Sequence, residues 1–470
     1  MIQPHKKISP FEIEQFLNGN NAILTLVFDD KKIVKDMVEK FKDEILGLNL
    51  KIKGDLIVQK KKEDIKVHEL PGSSSFDSIQ TKTKWAAFKY PPKLYRELGT
   101  ISANDDTIIL NINHAVCDGN YIAGIARHIA DMSSKPKTYI PSTFDEEFSE
   151  EIKERSTKPP KFYRNDPNNT IFTNFGMKKS ENEILYDSIF ESKTISNYNI
   201  KKHDSNNLTA AIVTGYSLSV SALNDQKEVK NLGGSIVENM RSVLRYKKNN
   251  QIKNILKSDF IQEKENNTIS DFSCLNDDVN FNDINFGDGL CFESQLIKSS
   301  TDPITLNHTN FYTIIPFTTK VSPEMNIDQC YKLLNESRNN RFNNNKMDLF
   351  DFRNSIEFTN PKNIDDGIML CFNNLGPIHV IEPVRDLYLY NQFFHGALNL
   401  AIPVLTYNIV DEKRHRDEFH SQVRYQCNGL TLKQTEVLSK SLKLYLQMAE
   451  SFNTISEIYQ ELREFQKSLL

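Results

Sequence analysis

His114 stands at the end of an alternating apolar run, and Asp118 and Gly119 follow it within "NHAVCDG". A neutral imidazole can take a proton from a hydroxyl or amine as that group attacks a carbonyl. Its reference pKa, about 6.5, leaves it mostly deprotonated near neutrality. Asp118 has two readings: it orients the imidazole, as an aspartate does in a triad, or it turns away to pair with an arginine and fixes the loop that holds His114. Gly119 relieves crowding where the loop tightens or a ligand comes close. A chain of this composition is expected to contain this His-x-x-x-Asp-Gly combination about 0.02 times by chance. The plainer alternative is a histidine capping a helix start, with the aspartate as a second cap.

The flanking elements favour a site. Ile108, Leu110 and Ile112 alternate with Thr107, Ile109 and Asn111, the pattern of a mostly buried strand. Tyr121, Ile122, Ile125, Ala126, Ile129 and Ala130 then recur at helical spacing. His114 thus falls where a strand hands over to a helix, a place where a side chain can point into a cleft while its backbone stays fixed. Upstream, "NAILTLVF" predicts a strand, and Ile33, Val34, Met37, Val38, Phe41 and Ile45 predict an amphipathic helix. Leu48, Leu50 and Ile52 alternate, and Gly54-Asp55 followed by "LIVQ" suggests a hairpin. From about Lys135 to Asn169 prolines and charges dominate, which reads as a long surface connection. Beyond it, "NEILYDSIFES" is strand-like and a stripe of Leu208, Ala211, Ile212 and Tyr216 marks a helix. "GGSIVENMRSVL", "HTNFYTIIPFTTKV", "GIMLCFNNLGPIHVI" and "LNLAIPVLTYNIV" read as buried strands, and "NIDQCYKLLNESRNN" and "TLKQTEVLSKSLKLYLQMAESF" as helices. The expected architecture is α/β: two lobes with mixed sheets joined by a long crossover, an N-terminal lobe over 1–180 and a C-terminal lobe over 181–470.

Composition narrows the function classes. The chain has 470 residues and is 39% hydrophobic, enough for more than one simple domain. Lys and Arg number 58 against 62 Asp and Glu, so no basic excess points to nucleic acid. The six cysteines are scattered without a CxxC pair, which signals neither a metal site nor a disulfide framework. They read as reduced thiols in a cytoplasmic protein, and Cys117, inside the motif, as a small apolar filler rather than a nucleophile. "MIQPHKKISPFEIEQFLNGN" has no apolar core of a secretory signal, and no run approaches the ~18 apolar residues of a membrane span. The helical stripe of Leu438, Leu442 and Tyr445 reads as core; a peripheral membrane contact would need more exposed apolar surface. His128, His379 and His395 read as packing or surface residues.

"NHAVCDG" resembles the H-x-x-x-D-G signature of the chloramphenicol-acetyltransferase-like superfamily, which includes alcohol O-acetyltransferases, plant acyltransferases, polyketide-associated acyltransferases and the condensation domains of peptide synthetases. "ENMRSVL" is similar to a family segment whose arginine meets the motif aspartate, here Arg241. "NNLGPIHV" resembles the S-N-L-G segment of alcohol acetyltransferases, with Asn373 in place of Ser. Condensation domains usually carry two adjacent histidines, and here Asn113 precedes His114; the D-F-G-W-G segment of the plant enzymes is absent, and Trp85 is the one tryptophan. The alcohol-acetyltransferase branch is the nearest fit on these segments.

The resemblance implies two chloramphenicol-acetyltransferase-like lobes with a tunnel between them and no permanently bound cofactor or metal. Acyl-CoA, acetyl-CoA above all, is the co-substrate, and a small alcohol or amine the acceptor. His114 would be the general base in a direct attack on the thioester, with Asp118 paired to Arg241. It places Asn374, Leu375 and Gly376 near the tunnel; as donors to the tetrahedral oxyanion, Asn374 and Gly376 are candidates only. Arg245, Lys247 and Lys248 are candidates to grip the CoA phosphates, against the commoner reading of a solvated charge cluster. Two alternatives stay open: a condensation-type enzyme forming an ester or amide from a carrier-bound acyl group, and a non-catalytic binding module of the same fold.

Overall fold

The computed structural model describes residues 5–17, 19–93, 96–132, 142–156, 190–196, 207–241, 243–244, 309–344, 350, 369–392, 401–424, 432–450 and 452–470. The first half forms β1 (His5–Lys7), α1 (Pro10–Leu17), β2 (Asn21–Phe28), α2 (Lys31–Glu44), α3 (Leu46–Asn49), β3 (Leu50–Lys53), β4 (Leu56–Gln59), β5 (Val67–Glu69), α4 (Ile79–Lys89), β6 (Gly99–Ala103), β7 (Thr107–Asn113) and α5 (Gly119–Arg127). There follow α6 (Phe144–Glu147), α7 (Ser149–Ser156), β8 (Phe190–Ser196), α8 (Leu208–Leu223), β9 (Asn231–Asn239), β10 (Tyr312–Lys320) and α9 (Ile327–Asn344). The chain closes with β11 (Met369–His379), β12 (Val384–Gln392), β13 (Ala401–Asp411), β14 (Arg416–Arg424), α10 (Leu432–Met448) and α11 (Ile455–Leu469).

Two mixed sheets define two lobes. In the first, β2 and β7 lie at the centre of the order β12-β2-β7-β6-β5. Both are buried along their whole length, because each has packed layers on both faces. Leu24 and Leu26 of β2, with Leu110 and Ile112 of β7, face a core completed by α2 and α5, whereas Ile23 and Ile109 face Ala86 and Ala87 of α4. The second sheet has the order β10-β9-β11-β13-β14-β8 and covers α8. That helix is buried all round from Leu208 to Ala222, which explains why its apolar pattern extends beyond one stripe. Its polar groups find partners: Ser219 Oγ donates to the Gly215 carbonyl one turn back at 2.6 Å, and Tyr216 shares a hydroxyl hydrogen bond of 2.6 Å with Ser421 of β14.

Three local readings are corrected. Leu48 does not begin a strand, because the amides of Leu48 and Asn49 bond back to the Ile45 carbonyl and close the helical turn α3 before β3 starts at Leu50. The helix after the motif ends at Arg127, and Ile129 and Ala130 belong to a separate 3-10 turn. The crossover is not wholly a surface connection. Thr143 and Glu146 form a capping box that starts α6, and Phe144 and Phe148 are buried in the core of the C-terminal lobe. In the reverse direction, β12 leaves the second half of the chain to pair with β2 in the first sheet. Each half of the sequence thus lends a segment to the other lobe.

Strands β11 and β13 join the two cores. Leu370 and Phe372 pack in the C-terminal core, Leu375 and Ile378 in the N-terminal one. The pairing of β11 with β13 shifts register between Asn374 and Pro377, and Gly376 at the shift has φ +69°, a conformation that favours glycine. Phe148 packs in tilted geometry against Phe144, Phe350 and Phe311, at 4.7, 5.4 and 6.3 Å between ring centroids. Phe148→Ala should therefore cost about 3–5 kcal/mol of stability, read as a lower denaturation midpoint with an unchanged slope. A change near zero would mean that α6 and α7 are not docked on this core.

Candidate active site

Strand β7 carries the chain to the motif, and its side-chain alternation ends there. From Thr107 to Gly119 every residue is buried except His114, which is partly exposed. Its backbone is fixed on both sides. The His114 amide donates to the Asn20 carbonyl at 2.6 Å, and the His114 carbonyl accepts from Asn310 Nδ2 at 2.5 Å. The imidazole lies edge-on to Tyr312, with ring centroids 5.3 Å apart, and its Nδ1 is buried. Tyr312 in turn meets Phe11 of α1 edge-on at 5.8 Å. Asn113 shapes the turn: its side-chain oxygen accepts from the Ala115 amide at 2.9 Å, and its Nδ2 donates to Asn21 Oδ1 at 3.1 Å. An Asx turn of this kind needs a short side chain with an acceptor oxygen, which a second histidine would not supply in the same way.

Asp118 caps α5 through the Tyr121 amide, 2.8 Å from Oδ1. Arg241, just beyond β9, places Nη2 3.0 Å from Oδ1 and Nη1 3.0 Å from Oδ2. The Phe311 amide donates to Oδ2 at 2.7 Å, and the Asp118 amide donates to the Thr309 carbonyl at 2.9 Å. The carboxylate therefore receives two backbone and two guanidinium donors, and among the described residues none of its bonds goes to His114. Asp118 and Arg241 are each only 1% exposed, so this is a buried, charge-assisted pair that crosses between the lobes. Arg241 Nη1 also donates to Asn239 Oδ1 at 3.1 Å.

Gly119 opens α5 against β11. A Cβ there would sit 2.8 Å from Leu375 Cδ2 and 3.0 Å from Asn373 Nδ2, so the close approach comes from the β11 bulge. Asn374 is engaged within that bulge. Its Nδ2 donates to Thr209 Oγ1 at 3.2 Å, while its Oδ1 accepts from the Gly376 amide at 3.2 Å and from Thr406 Oγ1 at 3.1 Å. Arg127 grips the other side, donating to the carbonyls of Leu375 and Pro377 at 2.8 and 3.1 Å. In this arrangement Asn374 and Gly376 build the bulge beside the helix that follows the motif. Arg245, Lys247, Lys248 and His395 lie outside the described residues. His128 is the C-cap of α5, and His379 ends β11. Among the described residues no group of histidine, cysteine or acidic side chains is placed to hold a metal, and no helix is long and apolar enough to cross a membrane.

Sequence reading missed the braces from outside the motif: Asn20, Arg127, and above all the segment Thr309–Tyr312, which "HTNFYTIIPFTTKV" presents only as the lead into a strand. An asparagine just before a buried strand is a weak signal, since its partner is a backbone carbonyl nearly 200 positions away. Cys117 is fully buried, and burial pushes its thiol well above the ordinary range. The Cys117 thiol should therefore resist alkylation in the native protein and react once the chain is unfolded; rapid labelling of Cys117 in the folded protein would contradict this burial. Asp118→Ala and Arg241→Ala should each cost about 3–5 kcal/mol, because each strands a buried charge. The double variant should cost clearly less than the sum in denaturant melts. Additive losses would mean that the two side chains act independently.

The chain matches no protein-family model and no curated protein sequence. Solved structures do match its fold. The first condensation domain of the CDA synthetase aligns with a TM-score of 0.60 at 9% identity, covering 97% of this chain and 98% of that one. The starter condensation domain of rhizomide synthetase, a doubly substituted form in complex with C8-CoA and Leu-SNAC, aligns at 0.56 with 8% identity, covering 96% of each chain. Polyketide synthase associated protein 5 from Mycobacterium tuberculosis aligns at 0.54 with 10% identity, covering 94% of this chain and 96% of that one. What the chain shares with them end to end is the fold: the two-lobed, chloramphenicol-acetyltransferase-like architecture of condensation domains.

Proposed function

We propose that the chain is an acyltransferase of condensation type, which moves an acyl group from a thioester to an amine or hydroxyl with His114 as general base. One observation carries this reading. His114 is the partly exposed residue in a buried run, held by backbone bonds to both lobes at the junction between them. In the reaction His114 takes the proton of the attacking nucleophile while the new C–N or C–O bond forms. The tetrahedral intermediate then collapses, the C–S bond breaks, and the imidazolium returns the proton to the departing thiolate. Direct transfer requires no acyl-enzyme, since the thioester is already activated and the site supplies proximity. Asp118 acts through the loop: paired with Arg241, it holds the chain on which His114 sits. The engaged amide of Asn374 supports a structural role for that residue in place of oxyanion binding.

The condensation-domain neighbours favour an amine or hydroxyl acceptor and a carrier-borne acyl group over the alcohol acetylation suggested by the sequence segments. Use of acyl-CoA is a second reading, favoured by the C8-CoA bound to the rhizomide synthetase domain. In that case Arg245, Lys247 and Lys248 are the proposed contacts for the CoA phosphates. Release of free thiol should be followed with acyl-CoA and with acyl-N-acetylcysteamine, each with amine and alcohol panels. Transfer from both thioesters at similar kcat/KM supports the carrier-type reading, in which the nucleotide is not recognised. A KM at least tenfold lower for acyl-CoA supports the second. His114→Ala should lower turnover about 10²–10⁴-fold while the melting temperature stays within a degree or two. Near-wild-type turnover by the folded variant, or no transfer by the wild type from any thioester, would remove the proposal.

A further inference from the structure

We infer that Asn310 is a positioning residue for His114, the means by which the C-terminal lobe sets the geometry of the base. The inference rests on the reading of His114 as that base. His114 is the first residue past β7, one position beyond the last registered pair, Asn113 with Asn21. Its amide is fixed from the N-terminal lobe by Asn20, whose own Nδ2 donates to Gln15 of α1 at 2.6 Å. Its carbonyl is fixed from the other lobe by Asn310 Nδ2 at 2.5 Å, and the same nitrogen lies 3.4 Å from the Ala115 carbonyl. One amide thus spans two successive carbonyls of the turn, which limits rotation of the peptide plane following His114. The imidazole hangs from the Cα next to that plane, so a tilt of the plane moves the ring.

Asn310 is itself placed with little freedom. Thr309 before it accepts the Asp118 amide, Phe311 after it donates to the Asp118 carboxylate, and Tyr312 lies against the His114 ring. Four consecutive residues of the C-terminal lobe therefore touch the motif at four points: Tyr312 meets the His114 ring, and the Asn310 side chain bonds the His114 backbone. Asn310 is buried, at 7% exposed, in the lining of a shallow depression that also includes Lys6, Glu12 and Asp145. Losing its donor would leave the motif aspartate and its arginine paired while the His114 peptide gained freedom. That separates its role from the one Asp118 has.

Asn310→Ala removes the donor, and Asn310→Leu removes it while retaining bulk. Both should lower kcat about 10–100-fold, the loss expected when a reacting group is displaced by roughly an ångström, with KM for the thioester within twofold. In ligand-free protein labelled with ¹³C at histidine Cε1, and with the His114 signal assigned through His114→Ala, that signal should shift or broaden in both variants. Those of His128 and His379 should not. An unchanged His114 signal in either folded variant, or kcat equal to wild type, overturns the inference. If the signal moves but the wild-type protein transfers no acyl group from any thioester, the positioning stands and the acyl-transfer reading fails. If both variants are too unstable to measure, Asn310→Gln and Asn310→Ser, which keep a donor, must recover the wild-type signal at least in part; failure of both to do so in folded protein counts against it.

Discussion

The structure depends on one buried ion pair. Asp118 and Arg241 meet in bidentate geometry at 3.0 Å with almost no solvent contact, and they come from different lobes. A buried pair of this kind is not in itself a large source of stability, because both ions lose hydration. Its consequence is specificity. With either partner displaced, the other is a buried charge that has lost its counter-ion, so the two lobes have one strongly preferred relation at this point. The backbone donors of Tyr121 and Phe311 complete the carboxylate's shell and link that relation to the start of α5 and the lead into β10.

From this pin the site is built outward in both directions. On one side Gly119 lets α5 close against the β11 bulge, where Asn374 and Arg127 fix the backbone from opposite flanks. On the other side Thr309–Tyr312 runs along the motif to His114. Tyr407 reinforces the junction farther out: its hydroxyl bonds the Leu389 backbone of β12, with Gln422 donating to the same carbonyl. The exchange of α6 and α7 for β12 between the chain halves also ties the lobes together. The proposed base thus sits on a frame whose supports come mostly from residues distant in sequence.

That distribution explains what the sequence made legible. Strand β7, the helix after it and the turn between them are local, so periodicity and the His114, Asp118, Gly119 spacing suffice to find them. The two-lobed mixed-sheet fold was also legible through the short motif segments that resemble the superfamily. The pairing of Asp118 with Arg241 was reachable only through that resemblance, since no local pattern connects positions 123 apart. Asn310 and Arg127 bond to backbone carbonyls, which any residue offers, and so leave no complementary signature at the other end. The docking of Phe144 and Phe148 was hidden because two apolar residues among many charges look like a surface segment until a capping box and a buried partner surface are seen together. The bonds of the Asn374 side chain to Thr209, Gly376 and Thr406 were not legible, because they depend on the register shift of β11, which no local pattern announces.

The most direct test of the central claim is the pH dependence of kcat/KM for acyl transfer from a soluble thioester, measured for the wild type and for the residual activity of His114→Ala. If His114 accepts the proton of the nucleophile, the wild-type profile falls on the acid side as the imidazole protonates, and that limb is absent from the variant. The same acid limb persisting in His114→Ala, at unchanged midpoint, would show that another group is the base and would contradict the account.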